Sequence, residues 1–197
     1  MASIQPPSPW HSRKNIPHSK GAVLLTFKKA KADAINNIGY IHGLQGNPDK
    51  QLKYYLQSLE IRKKINDKRG IAESLNNIGT IYDNQGNPDK ALEYHLQSLE
   101  IQKEINNKHG IAYSLQNIGV IYGNQGNPDK ALEYYLQSLE IRKEINDKYG
   151  IAYSLNNIGA IYSDQGNTDK VNPLKRDSLF NRALEYHLQS LEIQKEI

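Results

Sequence analysis

The chain has 197 residues, 23% of them charged, and its net charge of +4 at pH 7 makes it mildly basic. This charge is too small to imply nucleic acid as a ligand, and no apolar run approaches the length of a membrane span. The absence of cysteine excludes disulfides, thiol nucleophiles and cysteine-based metal sites, and we expect a soluble, cytoplasmic protein.

Residues 1–29 precede the repeated part of the chain. They contain the run Gln5-Pro6-Pro7-Ser8-Pro9 and several scattered basic residues. This composition is typical of a segment that cannot bury enough apolar surface to fold by itself. We therefore predict a flexible leader, and the sequence assigns it no targeting role.

From residue 30 onwards the sequence repeats with a period of 40. Residues 70–109 and 110–149 are identical at 32 of 40 positions, and looser copies occupy 30–69 and 150–197. Self-similarity at this spacing is typical of stacked helical units, each of which needs its neighbours to complete a core. The sequence therefore predicts one array of four hairpins.

Each copy predicts two helices. In the second copy the first helix is expected over 68–84, with Asp67 as its N-cap and Gly86 as the left-handed residue that follows it. Asn87-Pro88-Asp89 then predicts the start of a second helix, which continues to about Ile105. Because the second helix carries two apolar stripes, it must be covered on two sides, which stacked hairpins achieve. The predicted fold class is all-α.

The fourth copy is interrupted by twelve extra residues, 171–182. Pro173 resists helix continuation, so we expect a loop to about Asp177, which then caps a helix running to the end of the chain. We interpret the extra residues either as an insertion tolerated at a hairpin tip or as an added contact element that acts through Leu179 and Phe180.

The last helix ends with an apolar stripe at Tyr186, Ser190, Ile193 and Ile197 that no further helix covers. An exposed stripe of this kind is a liability for a stacked array. We expect either that the natural protein continues further or that this uncapped helix supports end-to-end self-association.

The repeated residues resemble the tetratricopeptide repeat. The matching residues of the second copy are Leu75, Ile78-Gly79, Tyr82, Gly86, Ala91, His95 and Ser98. The period is longer than the usual 34, as in the long repeats of kinesin light chains, Pins-type proteins and bacterial signalling proteins. The resemblance implies a right-handed superhelix of tandem hairpins whose first helices line a concave groove, peptide binding in that groove, and no intrinsic catalysis.

Differences between the copies predict where a ligand would bind. Four of the eight differences between the second and third copies fall on one stripe of the first helix, whereas the exposed line of the second helix is unchanged. We interpret this contrast as diversification of a binding surface, with neutral drift at exposed sites as the alternative. The groove-side residues assigned to peptide binding are Glu73, Asp83, Tyr113, Tyr153, Asn36, Asn76, Gln116 and Asn156.

An asparagine recurs beside this stripe in every copy, as Asn37, Asn77, Asn117 and Asn157. Asparagine is a poor helix-interior residue because its side chain competes for backbone hydrogen bonds. Its amide can donate and accept at once, which matches the backbone of an extended peptide, and the resemblance implies this same use. The alternatives are that it bridges adjacent hairpins or was simply copied by duplication.

The stripe carries no Lys or Arg, which disfavours phosphopeptide or nucleic-acid binding. We expect a groove that is neutral to slightly acidic at Asp33, Glu73 and Asp83 and more aromatic at Tyr113 and Tyr153.

No metal-binding, phosphate-loop or nucleophile motif occurs, so we expect no cofactor, metal site, catalytic residue or membrane contact. The sequence predicts a scaffold that binds a protein or peptide. A regulatory or sensor array of a larger signalling protein and a self-associating solenoid are the alternatives.

Overall fold

The computed structural model of the protein describes residues 20–197, so most of the expected leader, residues 1–19, lies outside the described part. Within residues 20–197 there are eight helices and no strand. They are α1 (Lys20–Leu44), α2 (Pro48–Lys64), α3 (Lys68–Asn84), α4 (Pro88–Glu104), α5 (Lys108–Asn124), α6 (Pro128–Glu144), α7 (Lys148–Thr168) and α8 (Pro173–Lys195). Consecutive pairs form hairpins 1 to 4, and the predicted all-α class is confirmed.

Local sequence sets the helix ends where the second copy predicts them. The Asp67 side chain accepts a hydrogen bond from the Gly70 backbone N–H at 3.2 Å, and Pro88 occupies the first turn of α4. The turn within each of hairpins 1 to 3 contains a glycine at positive φ, for example 72° at Gly86. The turn between hairpins uses an asparagine instead, such as Asn66 with a φ of 54°. Glycine and asparagine are the residues that tolerate this left-handed conformation.

The N-terminal boundary differs from the expected one. Helix α1 begins at Lys20, so residues 20–29 are helical, although we expected them to belong to a flexible leader. The segment following Pro17 contains no further proline and continues directly into the repeat, so nothing in it interrupts an α-helix.

The prediction of a loop to about Asp177 in hairpin 4 is wrong. Helix α7 runs on to Thr168, four residues beyond the equivalent end of α5, and Gly166 lies inside it against the ring of Phe180. Thr168 stands where hairpins 1 to 3 have a proline, so α7 meets no residue that would end it at the usual place. The turn is shortened to residues 169–172.

Helix α8 begins at Pro173, and the Asn172 side chain accepts a hydrogen bond from the Lys175 backbone N–H at 3.1 Å. A proline cannot continue a helix, but its fixed φ favours the first helical position. Most of the insertion therefore extends α8, and Leu179 packs partly buried against the core of hairpins 3 and 4.

Two contacts recur in every hairpin and fix the distance between its helices. A buried serine of the second helix donates a hydrogen bond of 2.8 Å to an alanine carbonyl of the first helix, as Ser98 does to Ala72. A glycine of the first helix faces an aromatic ring of the second, and a Cβ at Gly79 would lie only 2.8 Å from the His95 ring. The missing side chain therefore permits the close approach of α3 and α4.

Successive hairpins are joined because the second helices α2, α4 and α6 also pack against the first helix of the next hairpin. Ile78, Ile118 and Ile158 are each 0% exposed at these junctions. The first helices α3 and α5 also contact each other directly. The first helices therefore form one side of the array.

Candidate functional site

Two clefts lie along the first helices. The first, with a volume of about 520 Å³, is bordered by α3, α5 and the start of α7. The second, of about 410 Å³, lies between α7 and the end of α8. We define the groove as the exposed surface of these clefts formed by Arg69, Glu73, Asn77, His109, Tyr113, Tyr149 and Tyr153.

The groove changes in character from hairpin to hairpin. Arg69, His109 and Tyr149 occupy one repeat position, and Glu73, Tyr113 and Tyr153 occupy the position one helical turn later. In hairpin 2 these positions form an ion pair, with Arg69 Nε 3.5 Å from Glu73 Oε1. In hairpins 3 and 4 they present aromatic rings that are 43% exposed at Tyr113, 73% at Tyr149 and 50% at Tyr153.

Sequence reasoning missed Arg69, His109 and Tyr149 as groove residues. The expected first helix, 68–84, includes Arg69, but copies drawn from residue 70 count this repeat position at the end of the preceding copy. The structure places all three residues in the first turn of a first helix. Their spacing of four residues before Glu73, Tyr113 and Tyr153 was the available signal, because residues four apart share a helix face. The groove therefore contains basic groups that the predicted stripe lacks.

The recurring asparagines are placed differently from one another. Asn37 is exposed, whereas Asn77, Asn117 and Asn157 are half-buried. The side-chain nitrogens of Asn117 and Asn157 are buried and have no hydrogen-bond partner within residues 20–197. A buried donor is normally satisfied, and these two nitrogens do not bridge adjacent hairpins.

The positions of Asn76 and Gln116 correct the prediction that the whole variable stripe lies on the accessible side. Asn76 is 3% exposed and Gln116 is 8% exposed. The Asn76 amide donates to Ser114 Oγ at 2.9 Å, and its Oδ1 lies 2.9 Å from His95 Nδ1. The Arg142 guanidinium donates to Gln116 Oε1 at 2.5 Å. Packing between and within hairpins occupies these side chains, which the helical wheel placed on the polar half.

The equivalent residues in the outer hairpins are only partly covered. Asn156 Oδ1 lies 3.2 Å from His187 Nδ1, so the asparagine–histidine contact of hairpin 2 recurs in hairpin 4. Asn36 is half-buried, and its Oδ1 has no hydrogen-bond partner within the described residues.

Several differences between copies are compensating pairs inside the array. Hairpin 2 has Gln102 accepting a hydrogen bond from Asn107 at 2.7 Å. At the same two positions hairpin 3 has Arg142 and Asp147, whose charged groups are 3.1 Å apart. The residue of the second helix that faces the conserved glycine likewise alternates along the chain, as Tyr55, His95, Tyr135 and His187. These differences reflect packing and not ligand choice.

The exposed line of the second helix is unchanged between the second and third copies and is held by contacts at three of its four residues. We call it the outer line; in hairpin 2 it consists of Glu93, Gln97, Glu100 and Glu104, and Glu100 is the residue that takes no part in these contacts within the described part of the chain. Its glutamates pair with lysines at the start of the first helix of the same hairpin, and its glutamines bond to glutamates one turn earlier. These contacts give a structural reason why the outer line is the same in both copies. Its constancy is therefore weaker support for a diversified groove than the sequence alone indicates. They involve the pairs Lys68–Glu104, Lys108–Glu144, Lys148–Glu196, Gln97–Glu93 and Gln137–Glu133.

Asp83 lies apart from the groove. It is half-buried in the last turn of α3 and borders neither cleft. Desolvation raises its pKa above the ordinary value. The acidic end of the groove therefore depends on Glu73 and on Asp33, which pairs with Arg62 at 2.8 Å.

The family model described as the tetratricopeptide repeat matches residues 31–104 and 110–179. The chain belongs to the tetratricopeptide repeat family. This membership, together with the hairpin geometry, confirms the predicted fold as a superhelix of tandem hairpins.

Among curated proteins none matches the sequence. No helix between Lys20 and Ile197 has both the length and the apolar character needed to cross a bilayer.

Solved structures with the same fold come from several organisms. BtubC (BKLC) from P. vanneervenii is 19% identical with a TM-score of 0.69, over 94% of this chain and 67% of that one. Aspartyl phosphate phosphatase F from Bacillus subtilis is 16% identical with a TM-score of 0.74, and the match covers 86% of this chain and 41% of the phosphatase. A signal transduction ATPase with a tetratricopeptide repeat sensor from Pyrococcus horikoshii is 21% identical with a TM-score of 0.67, over 89% and 28%. This chain thus spans less than half the length of the last two.

Burial of His95 predicts a pH-dependent stability. Desolvation lowers its pKa from 6.5 to about 4, so the unfolded chain binds a proton here before the folded array does. The free energy of unfolding should therefore fall as the pH drops from 6.5 towards 4. His95→Tyr, which introduces the residue of hairpins 1 and 3, should reduce this dependence. Urea unfolding at pH 7 and pH 5 measures the effect, and equal pH dependence in both proteins would contradict it.

The compensating pairs predict coupling between Arg142 and Asp147. Arg142→Gln removes the donor to Asp147 Oδ2 and to the Gln116 carbonyl, although Asp147 Oδ1 keeps its bond from the Gly150 backbone N–H, and should destabilise the array by about 1–3 kcal/mol. Adding Asp147→Asn recreates the neutral pair of hairpin 2 and should recover at least about 0.5 kcal/mol of that loss. A denaturation cycle over the four proteins measures this, and strictly additive single effects would show that the pairing is incidental.

Proposed function

We propose that the chain binds an extended peptide, or an extended segment of a partner protein, in the groove and catalyses no reaction. The observation that carries this proposal is the pair of unpartnered side-chain nitrogens on Asn117 and Asn157. These residues do not line the two clefts themselves; each lies one helical turn after a groove tyrosine, Tyr113 or Tyr153, on the same helix face. Membership in the tetratricopeptide repeat family supports the same function.

The groove offers hydrogen bonds and flat apolar surface side by side. A side-chain amide such as that of Asn117 can donate to a peptide carbonyl and accept from a peptide N–H. Tyr113 and Tyr153 present partly exposed rings beside the asparagines. Tyrosine provides a large amphipathic contact with few rotatable bonds, so ordering it on binding costs little entropy.

The charges of the groove favour a peptide over a polyanion. Arg69 pairs with Glu73, and Arg142 is bonded to Gln116 and Asp147. A phosphopeptide or nucleic acid would need cationic groups that are not already paired with carboxylates. Within the described residues there is also no group of three or more His, Asp or Glu side chains that could hold a metal ion.

The names of the structural neighbours support a regulatory setting only by analogy. The phosphatase and the sensor-bearing ATPase share the fold at low identity, and fold alone does not transfer an activity. A role as the sensor part of a larger signalling protein remains our alternative proposal, and the cytoplasmic location remains a prediction from the sequence.

Peptide selection tests the proposed groove directly. A phage-displayed library of random peptides selected on the intact protein should yield binders that lose their affinity for the Asn77→Ala, Asn117→Ala variant. Gln97→Ala, a substitution on the outer line of a second helix, serves as the control and should leave binding unchanged. Failure to enrich any peptide, or binding that the asparagine variant retains, would refute the proposal, provided that circular dichroism shows unchanged helix content.

End-to-end association is a second candidate function with its own observation. Residues 183–197 are identical to residues 91–105, but Leu191 is 48% exposed where its equivalent Leu99, covered by α5, is 6% exposed. At the other end of the array, Ile38 is 42% exposed where its equivalent Ile118, which packs against Leu99, is 0% exposed. Each end therefore presents one half of the junction that joins hairpins 2 and 3.

Sedimentation velocity over a concentration series tests this association. The intact protein should show a mass that rises with concentration, because burying the exposed leucines and isoleucines is favourable. Leu191→Glu places a charge on this face and should hold the protein at a constant mass. A mass that never rises in the intact protein would exclude the association.

A further inference from the structure

Helix α1 is longer than the other first helices, and the added part has no counterpart in the repeat. Helices α3, α5 and α7 each begin at a lysine that is equivalent to Lys28. Residues 20–27 therefore form about two extra turns that precede the repeat. Apolar side chains of these turns stay in contact with solvent, since Phe27 is 70% exposed and Leu24 is 55% exposed.

The extra turns lengthen an apolar stripe that runs along the outward face of α1. At 3.6 residues per turn its members lie within about 80° of one another, on the side opposite the buried Ala32 and Gly39. All of them are exposed, and alanine replaces the glycine and the serine that the other first helices carry on this face, so no polar side chain interrupts it. The stripe consists of Val23, Phe27, Ala30, Ala34, Ile38 and Ile41.

The same end of the array carries most of the positive charge of the described chain. Residues 20–67 contain nine Lys and Arg and four Asp and Glu, a net charge of +5. Residues 68–197 contain fourteen and seventeen, a net charge of −3. Lys20, Lys28 and Lys31 are exposed, and none of the three forms an ion pair within the described residues. The apolar stripe is therefore bordered by cationic groups that no carboxylate neutralises.

We propose that the outward face of α1 binds a membrane surface that contains anionic phospholipids. The apolar stripe enters the boundary between headgroups and acyl chains, and the lysines contact the headgroups. A helix with an apolar face and a basic border lies in the plane of such an interface, and each lysine near an anionic leaflet strengthens binding roughly fivefold. Because no described helix can span a bilayer, this contact is peripheral. It goes beyond the proposed peptide binding and does not depend on it.

The length of the stripe favours a lipid surface over another hairpin. A second copy that docked as in the end-to-end association above would cover α1 only from Lys28 onwards, because the interior first helices begin at that position. Val23 and Phe27 would remain in water. A bilayer can cover the whole stripe, which is about 27 Å long from Val23 to Ile41. Helix α1 borders neither cleft of the groove, so membrane binding leaves both clefts as they are.

The amino-acid sequence alone concealed this face. As part of a flexible leader, residues 20–29 offer scattered leucines and lysines with no common orientation. As a helix that continues into the repeat, they align Val23 and Phe27 with Ile38 and Ile41 on one side of α1. The expectation of no membrane contact depended on the first interpretation.

Co-sedimentation of the intact protein with lipid vesicles tests the inference. The protein should bind vesicles of phosphatidylcholine and phosphatidylserine in equal parts, and it should not bind vesicles of phosphatidylcholine alone. Lys20→Gln, Lys28→Gln and Lys31→Gln together should weaken the binding about 100-fold, the product of three roughly fivefold losses. Val23→Ser with Phe27→Ser should weaken it about tenfold or more, because two buried apolar side chains are lost.

Two matched control variants should bind the anionic vesicles as the intact protein does. Lys103→Gln, Lys143→Gln and Lys195→Gln make the same change in net charge at exposed lysines of the second helices. Val171→Ser with Leu174→Ser removes two apolar side chains that are even more exposed, at the opposite end of the array. Circular dichroism of every variant should show the helix content of the intact protein.

Three results would overturn the inference. They are no binding to the anionic vesicles, equal binding to the neutral ones, and an equal loss in a control variant. Leu191→Glu, which blocks end-to-end association, should leave vesicle binding unchanged, and its abolition would show that an oligomer is the binding species. If vesicle binding fails while selected peptides still bind through Asn77 and Asn117, only this inference is wrong and the proposed function stands.

Discussion

Each second helix must be covered on two of its faces, and the architecture of the array follows from that requirement. The first helix of the same hairpin covers one face, where Ser98 reaches the carbonyl of Ala72 and Gly79 allows the ring of His95 to approach. The first helix of the next hairpin covers the other. Since no isolated hairpin satisfies both conditions, the copies stack, and the first helices become neighbours along one side of the molecule.

This arrangement divides the differences between copies into two classes. Residues at the hairpin junctions change in pairs, as Gln102 with Asn107 becomes Arg142 with Asp147, because a buried polar group must keep its partner. Residues of the groove change independently, from an arginine–glutamate pair in hairpin 2 to exposed tyrosines in hairpins 3 and 4. Only the second class bears on the ligand, and it is smaller than a comparison of sequences indicates.

Much of the fold could be predicted because short-range rules determine it. Asp67 and Pro88 begin helices by local hydrogen bonding and a fixed φ, so the bounds of α3 follow from sequence alone. The fourth hairpin could not be predicted in the same way, because Pro173 is compatible either with a loop or with a helix start. Which one forms depends on the Asn172 cap and on the packing of Leu179.

The groove was predicted in part. A helical wheel identifies the polar side of a helix, but it does not show which parts of that side the next hairpin covers. Asn76 and Gln116 lie in those parts.

The buried polar pairs have a consequence for how such a chain can change over time. The contacts Asn76–His95, Gln102–Asn107, Gln116–Arg142 and Arg142–Asp147 each join two residues of the same 40-residue copy. Recombination that exchanges, deletes or reorders whole copies therefore keeps each of these pairs intact. Asn76 also donates to Ser114 of the following copy, a serine that recurs as Ser74 and Ser154, so it keeps an acceptor whenever the second, third or fourth copy follows it. The order of groove surfaces can therefore be rearranged by reshuffling these copies alone.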